Sequence, residues 1–103
     1  MKITVLLSNN ENIAHYGTDK ITLDIEDYLK GVVPAEIGNS HIEACKAQAI
    51  AARTLACSRT YYDGQITDKS SVHQAFRASR ISTKNYPNAL LAVDQTAGEV
   101  LIY

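Results

Sequence analysis

Apolar residues recur along this chain at a spacing that switches between two and nearly four, and the switches divide it into elements. "KITVLL" (Lys2–Leu7) is β-branched and reads as a strand. "SNNEN" reads as a turn, and after the break at Gly17 a second strand is expected around Lys20–Leu23. Asp24 is placed to cap a short helix, Ile25 to Lys30, with acids in its first turn. Gly31 ends that helix in this reading, and Pro34 keeps it from resuming, so "VVPAE" becomes a bend.

The longest periodic stretch follows. Ser40 and Glu43 fit a capping box, and no Gly or Pro occurs from there until Gly64, which predicts a helix to about Tyr61. Ile42, Cys45, Ala49, Ala52 and Ala56 form one stripe, while Ala44, Ala47, Ala51 and Leu55 extend it. Such a helix is expected at the centre of a domain, with alanines allowing close approach. Residues 63–85 are polar and irregular, with a short strand expected near Val72–Phe76. Pro87 opens a further helix with Leu90, Leu91 and Val93 on its apolar face; Gly98 stops it, and Glu99–Tyr103 reads as a third strand. The expected fold class is α+β, with a central buried alanine-rich helix packed by shorter helices and a small β-sheet.

Composition narrows the function. The 103 residues carry 46% hydrophobic and 20% charged residues, which suits one globular domain. A net charge of −1 without any basic run excludes an electrostatic footprint for nucleic acid or an anionic membrane. Cys45 and Cys57 stand roughly 18 Å apart along one helix, too far for a disulfide within it. The N-terminal apolar run is too short for a secretion signal, so the chain is either cytoplasmic or a domain of a longer exported protein.

Several residues are candidates for chemistry. Glu36 sits among Val32, Val33, Pro34 and Ile37, where partial desolvation would favour a neutral carboxylic acid able to donate a proton. The plainer reading is a loop carboxylate facing the N-terminus of the next helix. Lys46 and Arg53 are seven residues apart and share one helix face within about 20°. They either frame a polar cleft beside Glu36 or mark the helix's solvated edge. Gln48 projects elsewhere and is expected to satisfy backbone groups. His73 and Gln74 lie in the polar segment after Asp68, Ser70 and Ser71. No nucleophile elbow accompanies these serines, and Asp68 with His73 is a thin donor set for zinc, so no cofactor is expected. His15 and His41 read as turn residues. Tyr28, Tyr61, Tyr62 and Phe76 are either sugar-stacking platforms or core.

Taken in order, "DIEDYLKGVVPAEI", "EACKAQAIAARTLA", "HQAF" and "YPNALLAVDQTAGEVLIY" resemble the SpoIID/LytB domain of sporulation and cell-wall proteins over about residues 20–103. The resemblance implies a peptidoglycan lytic transglycosylase of the stage II sporulation protein D type, cutting between N-acetylmuramic acid and N-acetylglucosamine on strands stripped of stem peptides. It places the catalytic glutamate at Glu36 and supporting residues at Lys46, Gln48, Arg53 and Gln74, with His73 beside the last. It also implies a position outside the cytoplasmic membrane, facing the wall. Some relatives enhance a cell-wall amidase, so the alternative is a non-catalytic wall-binding or amidase-modulating module. Ile37 stands where the family has Met, Ala97 where it has Arg, and the Gln74 segment lacks the cysteine some members use for zinc. The chain stops at Tyr103 where the family continues, so the expectation is a single SpoIID-like domain over 1–103, either truncated at its C-terminus or a compact variant.

Overall fold

The computed structural model describes residues 1–102 and shows an α+β fold. Strand β1 (Lys2–Leu6) pairs antiparallel with β2 (Lys20–Asp24) on one side. On the other it pairs parallel with β3 (Gln65–Thr67), so the sheet order is β2-β1-β3. Alternation along β1 turns Ile3 and Val5 inward to meet Ile66, while Thr4 and Thr22 share a hydrogen bond on the outer face.

The turn expected after β1 is instead a helix, α1 (Asn10–Tyr16), because Asn9 caps it by accepting from the Asn12 backbone N–H. The short helix expected to stop at Lys30 continues as α2 (Ile25–Ile37), straight through Gly31 and Pro34. Gly31 is there for space. A Cβ built on it would lie 2.5 Å from Phe76 Cε1, so the glycine lets an aromatic ring rest on the helix backbone. Burial of Val32, Val33 and Pro34 offsets the hydrogen bond that the proline cannot make. Gly38, at φ +64°, ends α2 and sends its N–H back to the Pro34 carbonyl.

Helix α3 (Ile42–Thr60) is capped by His41, whose Nδ1 accepts from the Glu43 N–H; the capping box expected at Ser40 does not form. Ser40 Oγ instead donates to the Ile37 carbonyl and closes the link from α2. Cys45, Ala49, Ala52 and Ala56 form the buried stripe of α3, packed against α2 and α4 (Pro87–Gln95). Ala44, Ala47 and Ala51 stay exposed on the other side. The strand expected at Val72–Phe76 is absent, and the parallel partner of β1 is Gln65–Thr67. Glu99–Ile102 is not a strand either: it runs along α3 with Leu101 N–H donating to Thr54 Oγ1, and Tyr103 lies outside the described residues. His15, also read as a turn residue, is in the last turn of α1.

Arg53 ties these pieces together. Its guanidinium is 2% exposed and holds the Glu26 carboxylate through Nε at 2.8 Å and a second nitrogen at 2.7 Å. The remaining N–H groups donate to the Val93 and Glu99 carbonyls and to Thr96 Oγ1. One side chain therefore joins the first turn of α2, the middle of α3, the end of α4 and the tail.

Urea unfolding of four variants tests these contacts. Glu26→Ala leaves a buried cation unpaired and is expected to cost about 3 kcal/mol in urea unfolding. Arg53→Lys does not restore wild-type stability, since an ammonium lacks the two-pronged fork. Gly31→Ala gains about 1 kcal/mol of helix propensity but, with its Cβ 2.5 Å from a Phe76 ring carbon, loses about 2–3 kcal/mol to overpacking, a net destabilisation of about 1–2 kcal/mol. Adding Phe76→Leu to Gly31→Ala recovers part of the loss; a Gly31→Ala variant more stable than wild type would contradict the close approach.

Candidate active site

Glu36 lies in the last turn of α2, past the point where the helix is buried. Val32, Val33 and Pro34 turn into the core, and Ile37 is half-buried. Glu36 itself is exposed, so the expected desolvation by its neighbours is absent. What holds it is one hydrogen bond: the Ala75 backbone N–H donates to Oε1 at 2.6 Å. Among the described residues Oε2 has no protein partner, which leaves it open to a ligand.

The segment that supplies Ala75 is fastened to α2 residue by residue. Gln74 Nε2 donates to the Tyr28 hydroxyl at 3.0 Å and approaches the Ala52 carbonyl at 3.4 Å. Phe76 stacks on Tyr28, with ring centroids 5.4 Å apart, and rests over Gly31. Arg77 N–H donates to the Gly31 carbonyl. Tyr28 is fully buried, and burial pushes its hydroxyl well above the ordinary tyrosine range, with the Glu36 and Asp68 charges adding to the shift against a lowering by Gln74. Tyr28 is thus a neutral post on the buried side of the glutamate, while Glu36 faces solvent.

The rest of the polar segment is anchored to α1. Asp68, 7% exposed, accepts from Ser8 N–H, Ser8 Oγ, Asn9 N–H and Asn12 Nδ2. Burial alone would raise its carboxyl, but these donors more than offset it and hold it below the usual aspartate range. Asn12, buried, also donates to the Phe76 carbonyl and accepts from Ala78 N–H, so its amide clips the segment at two points. His73 Nδ1 accepts from the Thr67 N–H at 2.9 Å. Partial burial, then the nearby Arg59 charge, lower its affinity for a proton, against a smaller opposing effect of Asp63.

Of the residues singled out in the sequence, the structure brings together Glu36, Gln74 and the neighbour of Gln74. His73 is adjacent in the chain, but its ring is turned to β3. Arg53 does not frame a cleft beside Glu36, because its guanidinium is committed to Glu26 and the core. Lys46 pairs with Glu43 at 3.4 Å. Gln48 is half-buried and makes no side-chain hydrogen bond among the described residues, so it does not serve the core backbone as expected. The oxygens of Asp68 and Nδ1 of His73 are taken by protein donors, and no three His, Cys, Asp or Glu side chains cluster as metal ligands among the described residues. Tyr28 and Phe76 are core; Tyr61 and Tyr62 are exposed beyond the C-terminal end of α3. A cavity of about 250 Å³ opens along α3 between Ala51, Thr54, Leu55, Ser58 and Leu101, with no part of the Glu36 surroundings in its lining.

Sequence reasoning missed Gly31 and Asn12 as the residues that seat the segment. The signal for Gly31 was present: Tyr28, Leu29, Val32 and Val33 keep helical spacing across it. Nothing local marks Asn12, whose partners are more than fifty residues away.

Comparison with known proteins decides the family. The model of the stage II sporulation protein family, SpoIID, matches residues 15–103. The chain belongs to the SpoIID family. An uncharacterized protein of Brachyspira hyodysenteriae is 36% identical over 89 residues, covering 79% of this chain and 23% of that protein. The chain thus spans about a quarter of the length of this relative. Membership gives the SpoIID domain described here a role related to sporulation and the cell wall.

The two shifted groups set an acid limit on this segment. Both have folded-state values below their unfolded ones, so the unfolded chain takes up protons that the native state does not. The stability contributed by His73 is in place above the ordinary histidine value near 6.5 and falls as pH drops below it. That from Asp68 is in place above the ordinary aspartate value and is lost on further acidification. Urea unfolding is expected to show stability declining in these two steps; His73→Gln flattens the upper step and Asp68→Asn the lower.

Proposed function

We propose that this domain is a lytic transglycosylase acting on peptidoglycan glycan strands, with Glu36 as both acid and base. One observation carries the reading: Glu36 is a solvent-facing carboxylate in the last turn of α2, with one oxygen held by the Ala75 N–H and the other without a protein partner among the described residues. The other carboxylate whose charge reaches Tyr28, Asp68, is buried and saturated with hydrogen bonds, so it does not act as nucleophile or second base.

A single carboxyl group suffices for this reaction, whereas glycosidases of the usual kind need two. Saccharide packed over Glu36 excludes water, which favours the protonated acid needed at the start. Glu36 gives its proton to the oxygen linking muramic C1 to the next sugar, and that C1–O bond breaks with the electron pair leaving on oxygen. The positive charge developing at C1 is balanced by the new Glu36 carboxylate. The carboxylate takes the proton of the muramic C6 hydroxyl, and O6 closes on C1. The products are a 1,6-anhydromuramyl end and a free hydroxyl on the departing N-acetylglucosamine; Glu36 is protonated again, and no water or metal is consumed. Gln74 and Tyr28 position the Ala75 donor, and Lys46, on exchanging its Glu43 partner for the strand, and Gln48 are the supporting residues of α3 in this reading. This activity places the domain outside the cytoplasmic membrane, against the wall.

The test is to incubate the protein with peptide-free glycan strands and analyse the products by mass spectrometry. Anhydromuramyl ends are expected from the wild type, with Glu36→Gln slower by about a thousandfold or more, since loss of the acid removes both proton transfers. Glycan binding without such ends in the wild type would favour the amidase-modulating or wall-binding alternative.

A further inference from the structure

Between Lys69 and Val93 the chain contains no Asp or Glu, yet it carries Lys69, Arg77, Arg80 and Lys84. In a protein of net charge −1 this is a local excess of positive charge. The fold puts part of it beside the proposed site. Ala75 N–H grips Glu36, and at the far end of the loop Asn88 N–H donates to Asn39 Oδ1 while Asn88 Nδ2 donates to the Ser40 carbonyl. Residues 75–88 therefore leave from the C-terminal end of α2 and return within three residues of Glu36. Their 3₁₀ turn, Ala78–Arg80, packs against α2 and α1.

The three cations of this loop differ. Arg77 is engaged by Glu11 at 3.4 Å. Lys84 is exposed, with no aromatic face to hold it among the described contacts. Arg80 is half-buried, its guanidinium 5.5 Å from the centroid of the Tyr86 ring. That contact holds the charge near the ring face, and among the described residues Arg80 has no acidic partner and no side-chain hydrogen bond. A guanidinium held at a surface without an acidic partner is suited to a two-point contact with a carboxylate.

The substrate class proposed above offers one such group. N-acetylglucosamine is neutral, but muramic acid carries a lactyl ether whose carboxyl is either free or joined as an amide to a stem peptide. We infer that Arg80 is a specificity-determining residue that binds the free lactyl carboxylate of a muramic sugar near the cleavage point, and so selects peptide-free strands. Five residues separate Arg80 from Ala75, at most about 17 Å of extended chain, which is within the length of a strand lying across Glu36. An amide at the same position has no charge to offer and brings a peptide against the Tyr86 side of the loop. The inference rests on the glycan reading of the site, although its test is separate from cleavage.

The test uses Glu36→Gln, chosen so that bound glycan is not cut. Titration calorimetry compares purified glycan strands bearing free lactyl carboxyls with the same strands converted to carboxamides. The free-acid strands are expected to bind about tenfold more tightly, the scale of one charge-assisted contact, with the preference weakening in high salt. Adding Arg80→Ala removes the preference, and Arg80→Lys keeps only part of it; unfolding midpoints of all variants stay close, as the Arg80 side chain makes no hydrogen bond or ion pair among the described residues. A preference that survives Arg80→Ala, equal binding of the two strands, or no binding of either would each overturn the assignment. Wild-type cleavage reports on the other claim: selective, Arg80-dependent binding without cleavage sinks the enzyme reading alone, and cleavage indifferent to the lactyl carboxyl sinks the Arg80 reading alone.

Discussion

The fold depends on the pairing of the buried Arg53 with Glu26. A guanidinium taken out of water is costly unless its N–H groups are engaged, and here they reach a carboxylate, a hydroxyl and backbone carbonyls. The partners come from the start of α2, the end of α4 and the tail, so none of these can shift without exposing the charge. Glu26 is 34% exposed, which places the pair at the edge of the core where the carboxylate keeps some solvation. The consequence for the site lies at the opposite end of α2. With the first turn fixed, the last turn projects Glu36 at a fixed position, about 15 Å further along the axis.

At that far end the constraint changes from charge to shape. Phe76 lies on the backbone of α2 only because residue 31 is a glycine, and the ring brings Ala75 to Glu36 and Gln74 to Tyr28. Asp68 and Asn12 hold the same segment from the α1 side. The outcome is an exposed carboxylate backed by a segment that hydrogen bonds and packing fasten on both sides.

Much of this was legible in the sequence where local rules and tertiary packing agree. The Asp24 cap, the two first strands, the alanine helix and the Pro87 start all formed. The family pattern, carried by the run from Tyr28 to Thr54, led to membership that comparison bears out. Reading failed where a distant contact overrides a local signal. Gly31 and Pro34 are strong helix breakers by propensity, yet packing on Phe76 and burial of the valines keep α2 going, so Glu36 is in a helix and not a bend. Its apolar neighbours face the core, which is why its expected desolvation did not appear. Arg53 shared a helix line with Lys46, but the partner that claims it is twenty-seven residues earlier in the chain. The short β3 is recognisable only through its pairing with β1, as three residues carry too little pattern.

The central claim is that one carboxyl group works without water, and an isotope measurement addresses it most directly. Cleavage of peptide-free glycan strands in water enriched in ¹⁸O, read by mass spectrometry, tells ring closure from hydrolysis. Ring closure on the muramic O6 predicts anhydromuramyl ends with no added water and no ¹⁸O. New reducing ends that carry ¹⁸O would contradict it, because they require an activated water and a second group to activate it.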